Sequence, residues 1–155
     1  IKYDKLKLLE KYVLDQFVPD ESNYLNLNEI NFFFKKWYKN LNLEFSCLTK
    51  QEIKKYLLSI ISKSLIKDSC YYNYKLINYD KKKIFQEFCQ DSIIEENDQN
   101  IHLIDVKPYF DQWIGNNYSN IPDININEIK FYLQIHLSPY DQNIFGWKNY
   151  KLKIS

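Results

Sequence analysis

A chain of 155 residues with 45% apolar and 26% charged residues has the composition of a globular protein, with room for one or two small domains. Its longest apolar runs, such as the segment YLLSII at 56–61, are too short to span a bilayer. The net charge of +1 is unevenly divided, because residues 1–76 hold 13 Lys against 9 acidic residues (+4) and residues 77–155 hold 8 against 11 (−3).

The first half predicts three helices, a brief strand after the first helix and a β-hairpin at the end. Apolar residues recur at helical spacing in three stretches: 8–17, 30–41 and 53–61. Residues 24–27 alternate like a short strand, and residues 28–29 suit the start of the second helix. Thr49 followed by Glu52 predicts a capping box before the third helix. The aromatic segment 70–77 has high β-propensity and predicts the hairpin.

The second half repeats this order at an offset of 76 residues. Of 76 aligned pairs 20 are identical, whereas roughly 7 are expected by chance from this composition. Asn125 takes the place of Thr49 as the cap residue. The residues predicted to pack together in each core are Phe34, Trp37, Tyr56 and Leu57 in the first copy and Phe110, Trp113, Tyr132 and Leu133 in the second. The repeat therefore predicts two domains, residues 1–76 and 77–155.

Residues typical of catalytic and metal sites are sparse. Gly115 and Gly146 are isolated, so no glycine-rich loop could hold a phosphate. His102 and His136 have no partner at metal-ligand spacing, and His136 falls on the apolar stripe of its helix, which favours a core position. The acidic run at 95–100 lacks EF-hand spacing. We expect no catalytic residue, no metal and no cofactor in this segment.

Three cysteines, Cys47, Cys70 and Cys89, are odd in number and show no C-x-x-C spacing. Extracellular domains of this size use paired cysteines as a disulfide framework. These residues are therefore expected to be free thiols, in a reducing intracellular compartment.

The order helix, strand, helix, helix, hairpin is that of a winged helix, in which the second and third helices form a helix-turn-helix. The sequence thus predicts a mainly α fold with small β-hairpins (α+β), built as tandem winged-helix domains. A pair of three-helix bundles with irregular tails is the alternative. The Tyr-Lys-Leu ending shared by both copies argues against it, because an irregular tail has no reason to retain its aromatic residues.

Three motifs carry a family resemblance: FxxW, EIKxYL and a closing aromatic-x-x-Tyr-Lys-Leu. Together they resemble the winged-helix domain that lies C-terminal to the helicase core in primase-helicases of poxviruses and other large DNA viruses. The resemblance covers each copy almost whole and implies a non-catalytic, nucleic-acid-binding module of a larger viral DNA replication protein. The family's ATPase and primase motifs are absent from this chain.

Composition and the first residue point the same way as this resemblance. The chain has no Arg, Ala or Met and is rich in residues with AT-rich codons, which indicates an AT-rich genome such as that of a large DNA virus or certain protists. It begins with Ile, which indicates a segment of a longer chain. The host cytoplasm, a viral factory or the virion would then be its location.

Candidate DNA-contact residues lie on the predicted third helix of the first copy and on the helix before it. They are Lys50, Gln51, Lys54 and Lys55, with Lys35 and Lys36 on the preceding helix. Lys mainly contacts phosphate, and without Arg the bidentate guanine contact is poorly served. We therefore expect binding to the backbone of double- or single-stranded DNA with little sequence preference. The alternative is that these are ordinary solvated lysines.

The equivalent helix of the second copy has different surface chemistry, because Ile126, Phe131 and Ile135 replace Lys50, Lys55 and Ser59. Phe131 and Ile135 are spaced i, i+4 and are neighbours on a helix. They are predicted to dock against the first copy or another chain. In this hypothesis the first copy binds DNA and the second docks. The alternative function for the whole chain is a protein-docking or structural module of a viral replication, transcription or virion assembly.

Overall fold

The computed structural model describes residues 2–153 and divides into two compact units, residues 1–80 and 81–155. Each unit combines three α-helices with a small antiparallel sheet, so the fold is α+β. The units are described one at a time below.

The first unit contains one strand between its first two helices and two strands after its third. Its elements are α1 (Lys2–Gln16), β1 (Phe17–Asn26), α2 (Leu27–Lys39), α3 (Lys50–Ile60), a 3-10 turn (Lys63–Leu65), β2 (Ile66–Lys67) and β3 (Cys70–Leu76). The strands pair antiparallel in the order β1-β3-β2. Asp68 and Ser69 form the two-residue turn between β2 and β3 with φ of 52° and 60°. Two left-handed residues in a row are typical of a type I′ hairpin turn.

The second unit repeats this order but lacks a counterpart of β2. Its elements are α4 (Lys81–Ser92), β4 (Ile93–His102), α5 (Leu103–Asn117), α6 (Ile126–His136) and β5 (Gly146–Leu152). β4 pairs antiparallel with β5 in a two-stranded sheet. The hairpin predicted at the end of this copy is therefore not formed by two strands within the described residues. Only a single bridge, between Asp141 and Gly146, lies where the outer strand would be.

Equivalent hydrogen bonds fix the same joints in both units. The amide of Leu27 donates to the carbonyl of Ser69, and 76 residues later the amide of Leu103 donates to that of Phe145, both at 2.9 Å. Each bond holds the turn before the last strand against the start of the second helix. The sheets also share an irregularity: four residues of β1 (20–23) lie opposite Asn73, and four residues of β4 (96–99) lie opposite Asn149.

Aromatic residues pack with aliphatic ones in each core. In the first unit Phe34 and Leu57 are fully buried, whereas Trp37 and Tyr56 are half-buried at the core's edge. In the second unit Phe110, Tyr132 and Leu133 are fully buried and Trp113 is half-buried. Phe85 stacks between Phe110 and Tyr132, with ring centroids 4.7 Å and 5.0 Å away. Five of the eight predicted core side chains are thus buried, whereas Trp37, Tyr56 and Trp113 lie at the boundary of the core.

Three details of the sequence prediction are wrong. The first helix ends at Gln16, so Phe17 begins a strand of ten residues where a brief one was expected. Residues 20–23 of that strand form the bulge, which breaks the alternating pattern that identifies a strand. The second helix is capped by Asn26, whose side chain accepts from the amide of Glu29 at 2.8 Å. Ile60, expected in the core, is exposed at the end of α3.

Candidate nucleic-acid interface

Helix α3 begins at Lys50 because Thr49 and Glu52 form a capping box, which ends the extended segment before the helix. The amide of Thr49 donates to Glu52 Oε1 at 2.9 Å, and the amide of Glu52 donates to Thr49 Oγ1 at 3.2 Å. These two bonds satisfy amides that have no partner inside the helix. Ile53 and Leu57 are fully buried and anchor one face of the helix in the core. The capping box and this apolar face therefore fix which side of α3 meets solvent.

The solvent face of α3 carries part of the predicted DNA-contact set. Gln51 and Lys55 are exposed and Lys54 is half-buried. Within residues 2–153 no ion pair neutralises Lys54 or Lys55, so both ammonium groups remain available to an anion. Leu58 continues this face toward the helix end and is also exposed. The result is a short basic face one turn from the start of the helix.

Lys50 has a different role from its neighbours. Its Nζ donates to the Oδ1 of Asn28, which lies in the first turn of α2. The bond ties the starts of the two helices together. Lys50 therefore contributes positive charge at this edge, but its side chain is already held by a partner.

The two lysines predicted on the preceding helix lie on α2. Lys35 is exposed. Its positive charge lowers the pKa of Cys47, in the segment between α2 and α3, and so partly opposes the rise caused by burial of this thiol. Lys36 is exposed, and no hydrogen bond or ion pair of its side chain to α3 occurs in the described chain. Gln51, Lys54 and Lys55 therefore share the solvent face of α3, and Lys35 and Lys36 add exposed positive charge on α2.

A shallow cleft of about 390 Å³ lies beside this face, between α1 and α3. Leu6 contributes from α1, and Lys55, Tyr56 and Ser59 contribute from α3 together with Glu52. Burial raises the pKa of the Tyr56 hydroxyl, and the nearby carboxylate of Glu10 adds to this effect. The sequence did not predict the cleft, because its lining residues differ in chemistry and come from helices more than 40 residues apart.

The predicted docking pair lies on α6 in the second unit. Ile135 is 42% exposed, whereas Phe131 is half-buried and packs edge-on against Tyr132 with ring centroids 5.0 Å apart. The adjacent Lys130 lies over the ring of Tyr140, 4.2 Å from its centroid. Phe131 is therefore partly engaged within its own unit. Ile135 is the more accessible member of the pair.

The imidazole of His136, at the end of α6, bonds to the backbone of α4. His136 is half-buried, and its Nε2–H donates to the carbonyl of Lys82 at 3.0 Å. Burial lowers the pKa of the imidazole; the bond to this carbonyl partly opposes the shift, and the charge of Lys82 reinforces it. No cluster of three metal-ligating side chains exists among the residues that the structure describes.

The lowered pKa of His136 predicts that the second unit loses stability in acid. The unfolded chain takes up a proton on His136 near pH 6.5, while the folded unit resists it until a lower pH. The contribution of His136 to stability is therefore complete above that value and is lost as pH falls through it toward the folded pKa. His136→Ile, which copies the equivalent Ile60, should flatten the change in thermal midpoint between pH 7.5 and pH 5. An unaltered pH dependence in calorimetry would contradict this assignment.

The three thiols are free, and none forms a disulfide. Burial raises the pKa of Cys89 to about 12, so this thiol stays protonated and unreactive at neutral pH. Within residues 2–153, none of the helices has the length and apolar character needed to cross a bilayer. Comparisons of the chain with protein-family models, with curated proteins and with solved structures find no match.

Proposed function

We propose that each unit is a winged helix and that the chain is a tandem winged-helix module. The proposal is supported by the order helix, strand, helix, helix, hairpin in the first unit and by the antiparallel strand order β1-β3-β2. In that architecture β1 joins the last strand of the wing to the helical core. The second unit supports it less fully, because its wing has one strand and a bridge.

The function that this arrangement supports best is non-catalytic binding of nucleic acid through α3 of the first unit. The observation that carries the proposal is the unneutralised pair Lys54 and Lys55 beside exposed Gln51 on the solvent face of α3. A winged helix presents its third helix to DNA. The surplus of four positive charges in residues 1–76 adds long-range attraction to a polyanion. Phosphate contact without base-specific readout is the expected mode.

A charge-reversal pair tests this function. Lys54→Glu with Lys55→Glu should reduce affinity for duplex and single-stranded DNA at least about tenfold at low salt, equally for all sequences, because lysine contacts the phosphate backbone. The slope of log affinity against log salt should fall by about 2. Fluorescence anisotropy over a salt titration measures both quantities. Lys50 is left unchanged because its bond to Asn28 makes it part of the fold.

Two exposed lysines elsewhere in the same unit provide the control. Lys11→Glu with Lys63→Glu makes the same change in net charge at exposed positions outside α3. If both double variants weaken binding equally, only the net charge of the unit matters and α3 is not the contact surface. If the unaltered chain binds no DNA at low salt, the nucleic-acid function is wrong.

A second candidate is protein docking, favoured by exposed Ile135 beside Phe131 on α6. A docking unit would place the chain in a replication, transcription or virion assembly. From the motif resemblance, we further propose that the chain belongs to a primase-helicase of a large DNA virus. An open reading frame that joins this segment to an upstream ATPase core in the source genome would support that origin.

A further inference from the structure

The outer face of α2 combines positive charge with an exposed aromatic ring. Four exposed residues, here called the α2 stripe, are Phe32, Lys35, Lys36 and Lys39. Relative to Phe32 the lysines are spaced i+3, i+4 and i+7, so all four side chains lie along one side of the helix. The opposite side is anchored in the core by buried Ile30, Phe34 and Tyr38. The α2 stripe therefore faces solvent over a length of about 10 Å.

No carboxylate neutralises the α2 stripe. Within residues 2–153 none of its three lysines takes part in an ion pair. The one acidic residue of α2, Glu29, is buried and accepts a hydrogen bond from the hydroxyl of Tyr79. Exposed Glu44, in the segment after α2, forms no ion pair in the described chain. Three ammonium groups are therefore available to an anionic partner.

The ring of Phe32 is held in place at the surface. It packs edge-on against Phe33, with ring centroids 5.1 Å apart, and Phe33 lies 4.7 Å from the ring of buried Tyr79. Even so, Phe32 is 37% exposed. A ring that is already fixed loses little freedom when a planar group stacks on its open side. Phe32 is therefore suited to stacking with a flat partner.

The second unit has no such stripe on the equivalent helix. At the offset of 76 the four positions hold Pro108, Asp111, Gln112 and Gly115. Asp111 pairs there with Lys107 of the same helix at 2.8 Å. The ring and the three unpaired lysines are therefore not required by the arrangement of elements that the two units share. They belong to the surface of the first unit alone.

Charge and chemistry favour an unpaired nucleic-acid strand as the partner of the α2 stripe. Phosphates complement the lysines, and the bases of a single strand are free to stack on an aromatic side chain. In a duplex the bases already stack on one another. An acidic protein complements the lysines equally but supplies no planar group to the ring. Asn28, one turn before Phe32 on the same side of α2, accepts from Lys50 at the start of α3, so the stripe adjoins the candidate interface.

We propose that the α2 stripe binds a single strand of nucleic acid, with one base stacked on Phe32 and the neighbouring phosphates on Lys35, Lys36 and Lys39. This inference rests on the proposed nucleic-acid function and adds to it a preference for unpaired nucleotides. The lysines of α3 do not supply that preference, because phosphates are present in single and double strands alike. Stacking is open to every base, so the preference is independent of sequence.

Two substitutions of Phe32 isolate the stacking contact. Phe32→Leu keeps an apolar side chain but removes the ring, whereas Phe32→Tyr keeps the ring. The leucine variant should bind a short oligothymidylate at least about fivefold more weakly than the wild type, and the tyrosine variant should bind it equally well. Neither change should alter binding of an abasic strand or of a blunt duplex, since no base is free to stack there. Fluorescence anisotropy measures the affinities, and circular dichroism checks the fold.

Neutralising the lysines tests the phosphate contacts. Lys35→Gln with Lys36→Gln and Lys39→Gln should lower the slope of log affinity for oligothymidylate against log salt by about 2, because each contact to a single strand contributes about 0.7. The matched control removes the same charge at three exposed positions of the first unit outside α2 and α3: Lys11→Gln, Lys63→Gln and Lys67→Gln. An equal fall in slope for both triple variants overturns the proposal, since only net charge then matters.

Three further results overturn the proposal. The first is a Phe32→Leu chain that binds oligothymidylate as tightly as the wild type. The second is an equal loss of affinity for the abasic strand, which would show that the ring does not contact a base. The third is polyglutamate that binds as tightly as oligothymidylate of the same charge, which would indicate an acidic protein partner. If Lys54→Glu with Lys55→Glu weakens duplex binding while Phe32→Leu changes nothing, this inference fails and the nucleic-acid function stands, so the two failures are distinguishable.

Discussion

Replacing Lys81 by Met should destabilise the second unit by about 3–5 kcal/mol, because it removes the buried ammonium group that pairs with the carboxylate of Glu128. Both residues are almost completely buried, and Lys81 Nζ donates to Glu128 Oε2. The ammonium group also lies 5.5 Å from the centre of the Tyr132 ring. Each charge thus stabilises the other in the core.

A double variant distinguishes a charge effect from a packing effect. Lys81→Met with Glu128→Leu removes both charges and should recover most of the lost stability, since buried pairs can often be replaced by apolar residues at little cost. Lys5→Met is the matched control, because Lys5 is the equivalent residue in the first unit and is only half-buried, with a 3.4 Å bond to Ser46. It should cost less than about 1 kcal/mol.

Urea unfolding measures these changes if each unit is monitored separately. A Trp37→Phe background leaves Trp113 and Trp147, both in the second unit, as the only tryptophans. Their fluorescence then reports that unit alone. A loss below about 1 kcal/mol for Lys81→Met, or a double variant no more stable than the single one, would show that the pair is not the electrostatic unit described here.

This ion pair illustrates what the repeat could and could not predict. The offset of 76 correctly placed both third helices, and the caps at Thr49 and Asn125 form as expected from their Ser/Thr/Asn-x-x-Glu pattern. Those features depend on neighbours in sequence. Burial of Lys81 depends on packing between α4 and α6, 47 residues apart at the bond, and the identical lysine of the first copy is half-buried. No local pattern distinguishes the two environments.

The candidate surfaces show the same difference between features that depend on sequence neighbours, which could be predicted, and features that depend on tertiary contacts, which could not. The basic face of α3 was predictable from helical periodicity, because its opposite face carries buried Ile53 and Leu57. The bond from Lys50 to Asn28 was not, since it joins two helices. Exposure of Phe145 also escaped prediction, because an aromatic residue in a β-prone segment is ordinarily expected to pack inward. The conformation of the turn, set by tertiary contacts, decides where that ring lies.

Gly146→Ala should also destabilise the second unit severely, by about 3 kcal/mol or more, for a steric reason. A Cβ atom built on Gly146 would lie 1.8 Å from the carbonyl oxygen of Ile101 and 2.9 Å from the Cα of His102. Both contacts are with the backbone of β4, so no side-chain rotation relieves them. The sheet must open at its first pair, where His102 lies opposite Gly146.

The chain supplies its own control in the other glycine. Gly115 lies in α5 with nothing within 4 Å of an added Cβ, so Gly115→Ala meets no obstacle. It should stabilise the unit by about 0.5–1 kcal/mol, because alanine has less backbone freedom to lose in a helix. Urea unfolding of the two variants in the Trp37→Phe background should therefore give shifts of opposite sign. Equal and small shifts would mean that β4 and β5 do not approach as closely at Gly146 as the structure places them, and the register of this sheet would have to be revised.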